Sequence, residues 1–353
     1  MESYLDPVYD LCYEGNLDLG TRQLVYTFSS NKSVEFANFI PPSRLNDLKR
    51  ALVYHNPRIE DRLKYNPFEK LTVETNLTTM ELASIIYAIN PISCRKPDSY
   101  IRGSPDSDML RYVYVDLDTT PGMSITMQIL YPQSYCYGMS QQCNKKETDF
   151  SQSQTQESIT CYSLSKDWNF VNNRLDISNF DIQSTQLEGL RQRCLYNNPR
   201  GIDVALITTT DFDRWEKLFT GISVLFETGS LVYRFRNRYD LETSRLIYLT
   251  SQCFESIELY KPACSPCDND TIYLIGHSRR TDSNAMSKLT KIQKKEFDDL
   301  NVSFVKWMSE TNNYLIDKQI EAIEGIDQRI NRELEFNLDR CLGMWKIPVT
   351  YRL

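Results

Sequence analysis

Three groups of residues have types and spacing suited to chemistry. The first is Asp116-Leu-Asp-Thr-Thr-Pro-Gly122, a polar turn with Pro-Gly punctuation. It lies between a β-branched and aromatic run at Tyr112–Val115 and apolar residues at helical spacing from Met123 to Leu130. Such a turn exposes backbone N–H groups where a strand ends and a helix begins, which is where nucleotide-like ligands sit in doubly wound α/β domains. The second group is Arg234-x-Arg236-x-Arg238. Alternation along a strand would place three guanidinium groups on one face, an RNA-binding groove if Arg279 and Arg280 converge on it. The third is Cys264-Ser-Pro-Cys267, at metal-ligand or redox spacing. A structural zinc site normally needs a second pair, and the two histidines of the chain are His55 and His277, so no metal is expected. Two histidines also leave little for histidine-based acid–base catalysis.

Positioning such groups takes a scaffold, and the chain has the size and composition for one. It has 353 residues, 41% hydrophobic and 25% charged, with a formal net charge of −7. Those are globular proportions, and a nucleic-acid face would have to be a local basic patch. No apolar run approaches membrane-spanning length, and Met1-Glu-Ser-Tyr-Leu-Asp lacks the basic and apolar regions of a signal peptide. An intracellular protein is expected, in cytoplasm, nucleus or a virus particle and not secreted, with its ten cysteines as thiols.

After the opening strand and helix, Tyr135–Met139 reads as a second strand, and Ser140–Ser158, rich in Gln, Ser, Thr and Lys, as a mobile surface loop. Asn173–Ile177 is a short extended segment, followed by a helix through Leu187, Leu190 and Cys194. Gly201–Thr208 is a buried strand. Helical spacing from Trp215 to Phe226 ends at Thr228-Gly229, before a strand over Ser230–Phe235. A helix over Leu241–Cys253 and strands at Ile257–Tyr260 and Thr271–Gly276 follow. The alternation predicts a mostly parallel sheet with helices on both faces. Upstream, Ser43 is placed to cap a helix through Leu45, Leu48 and Leu52, and Leu77–Ile89 reads as another. Downstream, Tyr314, Ile320, Ile323, Ile330, Leu334 and Leu338 recur at helical spacing and predict one long amphipathic helix.

The order of features resembles that of the FtsJ-like, cap-specific mRNA ribose 2′-O-methyltransferases. Lys64-Tyr-Asn-Pro-Phe-Glu69 is similar to the family's Asn-Pro-Tyr-Glu segment, and Tyr135-Cys-Tyr-Gly-Met-Ser140 to its second strand. Leu246-Ile-Tyr-Leu249, Cys253-Phe-Glu255 and Tyr260-Lys-Pro262 resemble its Leu-Ile-Tyr-Leu, Cys-Phe-Glu and Phe-Lys-Pro run. Cys341-Leu-Gly-Met-Trp-Lys-Ile-Pro348 resembles its closing motif. The resemblance covers roughly residues 62–353. It implies a Rossmann-like methyltransferase fold: an N-terminal extension at 1–60, a methyltransferase-like domain at 61–280 and a C-terminal helical extension at 281–353, packed on the domain or on a partner.

The resemblance also implies a chemistry whose residues have changed. The family's lysine–aspartate–lysine–glutamate tetrad lowers the pKa of its central lysine, which helps deprotonate a ribose hydroxyl for attack on the methyl of S-adenosylmethionine. The first lysine falls near Thr79–Ala83, with Glu81 the closest polar match. The aspartate becomes Thr209, the central lysine Arg234 and the final glutamate Thr271. Arginine keeps its proton and cannot act as a base. In the cofactor turn Asp116, Pro121 and Gly122 survive, while Thr120 and Met123 replace glycines and add bulk. Asp176 matches an aspartate that lies near the adenine in the family. The expectation is a catalytically inactive, methyltransferase-like subunit of an RNA-processing, transcription or viral assembly. Its cofactor site would be vestigial or weak, its partners protein and, through Arg234, Arg236 and Arg238, RNA. An active enzyme with a rearranged site and a non-catalytic RNA-binding module are the alternatives.

Overall fold

In the computed structural model the described residues are 22–25, 42–54, 74–89, 91, 112–118, 122–131, 134–141, 174–177, 184–209, 213–236, 241–262, 264–265, 271–330, 343 and 345. Their strands are β1 (Arg22–Val25), β2 (Val113–Asp116), β3 (Tyr135–Gln141), β4 (Arg174–Ile177), β5 (Ile202–Thr208), β6 (Leu225–Phe235), β7 (Phe254–Tyr260) and β8 (Ile272–Arg279). The helices are α1 (Pro42–Tyr54), α2 (Glu74–Ile89), α3 (Gly122–Leu130), α4 (Ser184–Asn197), α5 (Arg214–Val224), α6 (Leu241–Ser251), α7 (Ser283–Lys294) and α8 (Val302–Ile330).

All eight strands form one sheet in the order β1-β7-β8-β6-β5-β2-β3-β4. Pairing is parallel from β4 through β6, while β8 lies antiparallel between β6 and β7, and β1 antiparallel on β7. Strands β2 to β7 therefore run one way. The order reverses between β2 and β5, the switch point of a doubly wound sheet. This is the mostly parallel, Rossmann-like doubly wound sheet with helices on both faces that the alternation of elements predicts.

Strand periodicity divides the core in two. Tyr114, Val204, Leu206, Val232, Tyr273 and Ile275 point to one face, where they pack against Leu82, Ile85, Met123 and Met127 of α2 and α3. Val115, Ala205, Ile207, Leu231, Tyr233 and Leu274 point to the other, under α1 and α4 to α8. Each fully buried Leu or Ile contributes about 1.5–3 kcal/mol. By the same alternation, Asp116, Arg234 and Tyr273 all belong to the α2–α3 face.

Several boundaries differ from the sequence reading. Helix α5 ends at Val224 and β6 begins at once with Leu225, which pairs with Ile202 before a register shift, so Thr228-Gly229 lies inside the strand. Gly229 suits that place, since a Cβ there would meet the Phe226 and Ile202 carbonyl oxygens at 3.0 and 3.1 Å. Helix α1 begins at Pro42, so Ser43 is its second residue and not its cap. Helix α8 begins at Val302, twelve residues before Tyr314, because Phe304 and Met308 continue its buried stripe. Strand β3 runs on to Gln141, so Ser140 and Gln141 of the loop read at Ser140–Ser158 are strand; the rest of that loop, Leu334, Leu338, the 64–69 segment, His55 and most of the closing motif lie outside the described residues.

Candidate functional site

The site is built on α2. From Thr78 to Ile86 every residue of this helix is buried, so its polar side chains must find partners inside the protein. Thr79 Oγ1 donates to the Gly122 carbonyl at 2.9 Å, and Thr126 Oγ1 donates to the Thr79 carbonyl at 2.7 Å. These bonds tie α2 to the first turn of α3. Ser84 Oγ lies 3.3 Å from the Tyr260 hydroxyl of β7.

Glu81, one helical turn from Ser84, is 0% exposed and is the centre of the cluster. Arg234 Nε donates to its Oε2 at 3.1 Å, the Tyr273 hydroxyl donates to the same oxygen at 2.6 Å, and Ser265 Oγ donates to Oε1. Arg234 is itself 4% exposed. Burial, then the neighbouring Glu81 charge, pushes the Tyr273 phenol well above its ordinary pKa, so it remains a donor. The result is a buried ion pair with two hydroxyl donors. Its geometry stabilises a carboxylate and provides no base: a guanidinium keeps its proton, and the carboxylate accepts from three side chains.

Of the four positions matched to the family tetrad, Glu81 and Arg234 meet here, Thr271 flanks them, and the Thr209 side chain turns to the opposite face of the sheet with Tyr233. The Thr209 N–H donates to the Arg234 carbonyl at 3.4 Å, and Thr209 Oγ1 donates to the Tyr233 hydroxyl at 3.1 Å. Thr271 directly precedes Ile272, which pairs with Phe235, so it flanks Arg234 at the end of β6. Two buried lysines that the sequence reading did not single out as site residues lie nearby. Lys261 Nζ donates to the Thr271 carbonyl at 3.3 Å, and Lys217 Nζ donates to the Thr208 carbonyl at 2.8 Å while pairing with Asp213 at 2.8 Å. Tyr273 and Ser265 were missed as well. The period-2 pattern of β8 could have given Tyr273, but nothing in sequence brings Ser265 to a helix 184 residues away.

In the cofactor turn the described residues bond to one another and to α2. Asp116 is 0% exposed, and its Oδ1 accepts the Asp118 N–H at 3.0 Å while its Oδ2 accepts Ser124 Oγ. Gly122 opens α3, and its carbonyl is bonded to Thr79. Asp116 and Gly122 thus join strand to helix, and Thr79 of α2 holds the first turn of α3. The expectation that Met123 crowds the ligand floor is corrected: its side chain is buried in the core with Leu82 and Tyr114. Asp176 pairs with Ser140 in β4, and Pro121 and Thr120 lie outside the described residues.

The basic groove is also corrected. Strand β6 ends at Phe235, so strand alternation stops before Arg236, which is exposed, and Arg238 lies outside the described residues. Arg234 faces Glu81 and not solvent. Arg279 Nη1 donates to the Ser223 and Leu225 carbonyls at the end of α5, and Arg280 pairs with Asp282 at 2.7 Å. Cys264 is buried and Cys267 undescribed; among the described residues no group of three His, Cys, Asp or Glu could hold a metal ion. Among them, too, no helix is long and apolar enough to cross a membrane.

No protein-family model and no curated protein matches the sequence. Among solved structures the chain is similar to human methyltransferase-like protein 13 in complex with SAH, with 9% identity, a TM-score of 0.32, and coverage of 67% of this chain and 97% of that one. It is also similar to an rRNA methylase from Streptococcus thermophilus, with 12% identity, a TM-score of 0.30, and coverage of 48% and 88%. An O-methyltransferase family protein from Burkholderia thailandensis matches at 7% identity and a TM-score of 0.29, covering 68% and 73%. Likeness at this level concerns the course of the chain and not its ligands or activity.

Proposed function

We propose that this chain is a catalytically inactive, methyltransferase-like protein related to the cap ribose 2′-O-methyltransferases, and that it serves as a structural or protein-interaction subunit of an RNA-processing, transcription or viral assembly. One observation carries the reading. Where the related enzymes need a lysine able to lose its proton, this chain has Arg234 paired with Glu81, whose carboxylate also accepts from Tyr273 and Ser265. A ribose hydroxyl entering this site would meet an arginine that keeps its proton and a carboxylate already taken up by three donors. The Asp116–Ser124 turn supports the same reading.

The active-enzyme alternative would need another amine, and Lys261 is the nearest at the end of β7. Its Nζ already donates to a backbone carbonyl. Tritiated methyl transfer to a capped RNA oligonucleotide, with and without Arg234→Lys, tests the inactive reading, which expects background counts from both. Calorimetric titration with S-adenosylmethionine tests the turn, with no heat of binding expected. Affinity purification of the full chain, followed by mass spectrometry, tests the subunit role through stoichiometric protein partners.

A further inference from the structure

Helix α8 has two docking regions with a polar stretch between them. Its first part meets α6, where the Phe304 and Tyr248 rings lie 4.9 Å apart between centroids, and Met308 continues the buried stripe one turn later. Its later part lies on α1: Leu315, Ile316 and Ile323 are buried in the same core as Leu48 and Ala51, and Asp317 pairs with Arg44. Between these regions stands Thr311-Asn312-Asn313. Residues four apart lie in rows along a helix, so Asn312 falls between Met308 and Ile316, and Thr311 between Trp307 and Leu315. Both polar residues therefore interrupt an apolar stripe, and both are 0% exposed.

Burial leaves this stretch unsatisfied. Thr311 Oγ1 and both Nδ2 and Oδ1 of Asn312 have no hydrogen-bond partner among the described residues, nor do the buried Oδ1 of Asn313 and Nε1 of Trp307. Elsewhere the fold supplies the usual remedy: buried Thr250 of α6 donates its hydroxyl to the Leu246 carbonyl one turn back, at 2.8 Å. Thr311 makes no such bond to Trp307. A buried polar group without a partner favours any state in which water reaches it. Thr and Asn are also poorer helix formers than the Leu, Met or Ala that would continue the stripe. Both effects act at the same three residues, so local opening of α8 is easiest there.

We propose that Thr311–Asn313 is a joint in α8, at which the helix opens so that its distal part, clasped to α1 through Arg44 and Asp317, moves separately from the part docked on α6. Opening gives Thr311, Asn312 and Trp307 the water that the closed helix denies them. The proposal is independent of the inactive site. Hydrogen exchange of the full chain, read by mass spectrometry, tests it. After correction for intrinsic rates, amides over Thr311–Ile316 exchange about tenfold faster than those over Gln319–Ile323, because the distal part stays helical while the joint opens. Asn312→Leu and Thr311→Val keep the side-chain shapes and remove the unpartnered atoms. Together they slow the joint to the rate of its flank and raise the urea midpoint by roughly 0.5 M. Equal protection along α8 in the unmodified chain would overturn the proposal. So would a double variant with a lowered midpoint, the result expected if ordered water holds these side chains in a closed helix.

Discussion

Replacing Glu81 by leucine removes one side chain and strands three donors. Arg234, with its side chain 5% exposed, would hold an uncompensated buried charge, a situation that typically costs about 3–5 kcal/mol. The Tyr273 and Ser265 hydroxyls would each lose an acceptor, at about 1 kcal/mol apiece. The expected loss is about 5–7 kcal/mol, much of the ~5–15 kcal/mol that holds a typical domain folded. Removing both charges, as Glu81→Leu with Arg234→Met, leaves the hydroxyl losses, so the double variant should lose only about 1–2 kcal/mol and be more stable than Glu81→Leu alone. Urea denaturation followed by far-ultraviolet circular dichroism at pH 7 gives each value, with unchanged m confirming that the compared states are alike. A loss below about 1 kcal/mol for Glu81→Leu, or single losses that simply add in the double variant, would refute the ion pair as the organiser of this site.

Alkaline pH should destabilise the protein through its buried thiols. Burial pushes Cys194 and Cys253 up to about 12, so the folded state keeps protons that the unfolded chain has lost. Their stabilisation is complete below about pH 8.5 and disappears as pH rises to about 12, with a slope of roughly 1.4 kcal/mol per pH unit for each thiol. Urea titrations at pH 7, 9 and 10.5 should show this fall, and a flat profile would contradict it. Gly201→Ala forces a Cβ against the Leu225 and Phe226 backbone at positive φ and should lower Tm by roughly 5–10 °C in scanning calorimetry. Ser124→Ala removes one hydrogen-bond donor to buried Asp116 and should cost about 1–3 kcal/mol in urea denaturation without creating S-adenosylmethionine binding by calorimetry.

Much of the sheet was legible because strand and helix periods differ. Gly201–Thr208 could be read as a strand because a run of that length, bounded by turn residues, buries both faces. Strand β1 was not legible, since the four residues Arg22–Val25 carry no pattern and take their register from β7. The start of β6 was misplaced because Leu225 and Phe226 continue the helical spacing of α5, and pairing with Ile202 decides the matter instead. At the site, the resemblance singled out Glu81, Thr209, Arg234 and Thr271, and the structure pairs Glu81 with Arg234. Sequence did not reveal that Glu81 and Arg234 neutralise each other, because the contact spans 153 residues. Arg234 therefore read as a surface cation when its partner buries it. Asp116 and Ser124, eight residues apart, form the local part of the arrangement.

The most direct test of an inactive site is a single-turnover assay with protein in excess over capped RNA and tritiated S-adenosylmethionine at saturating concentration. The account predicts counts equal to those without protein, unchanged by Lys261→Met or Arg234→Lys. Methyl transfer to the ribose by the unmodified chain, lost on Lys261→Met, would contradict it and identify Lys261 as the base of a working enzyme.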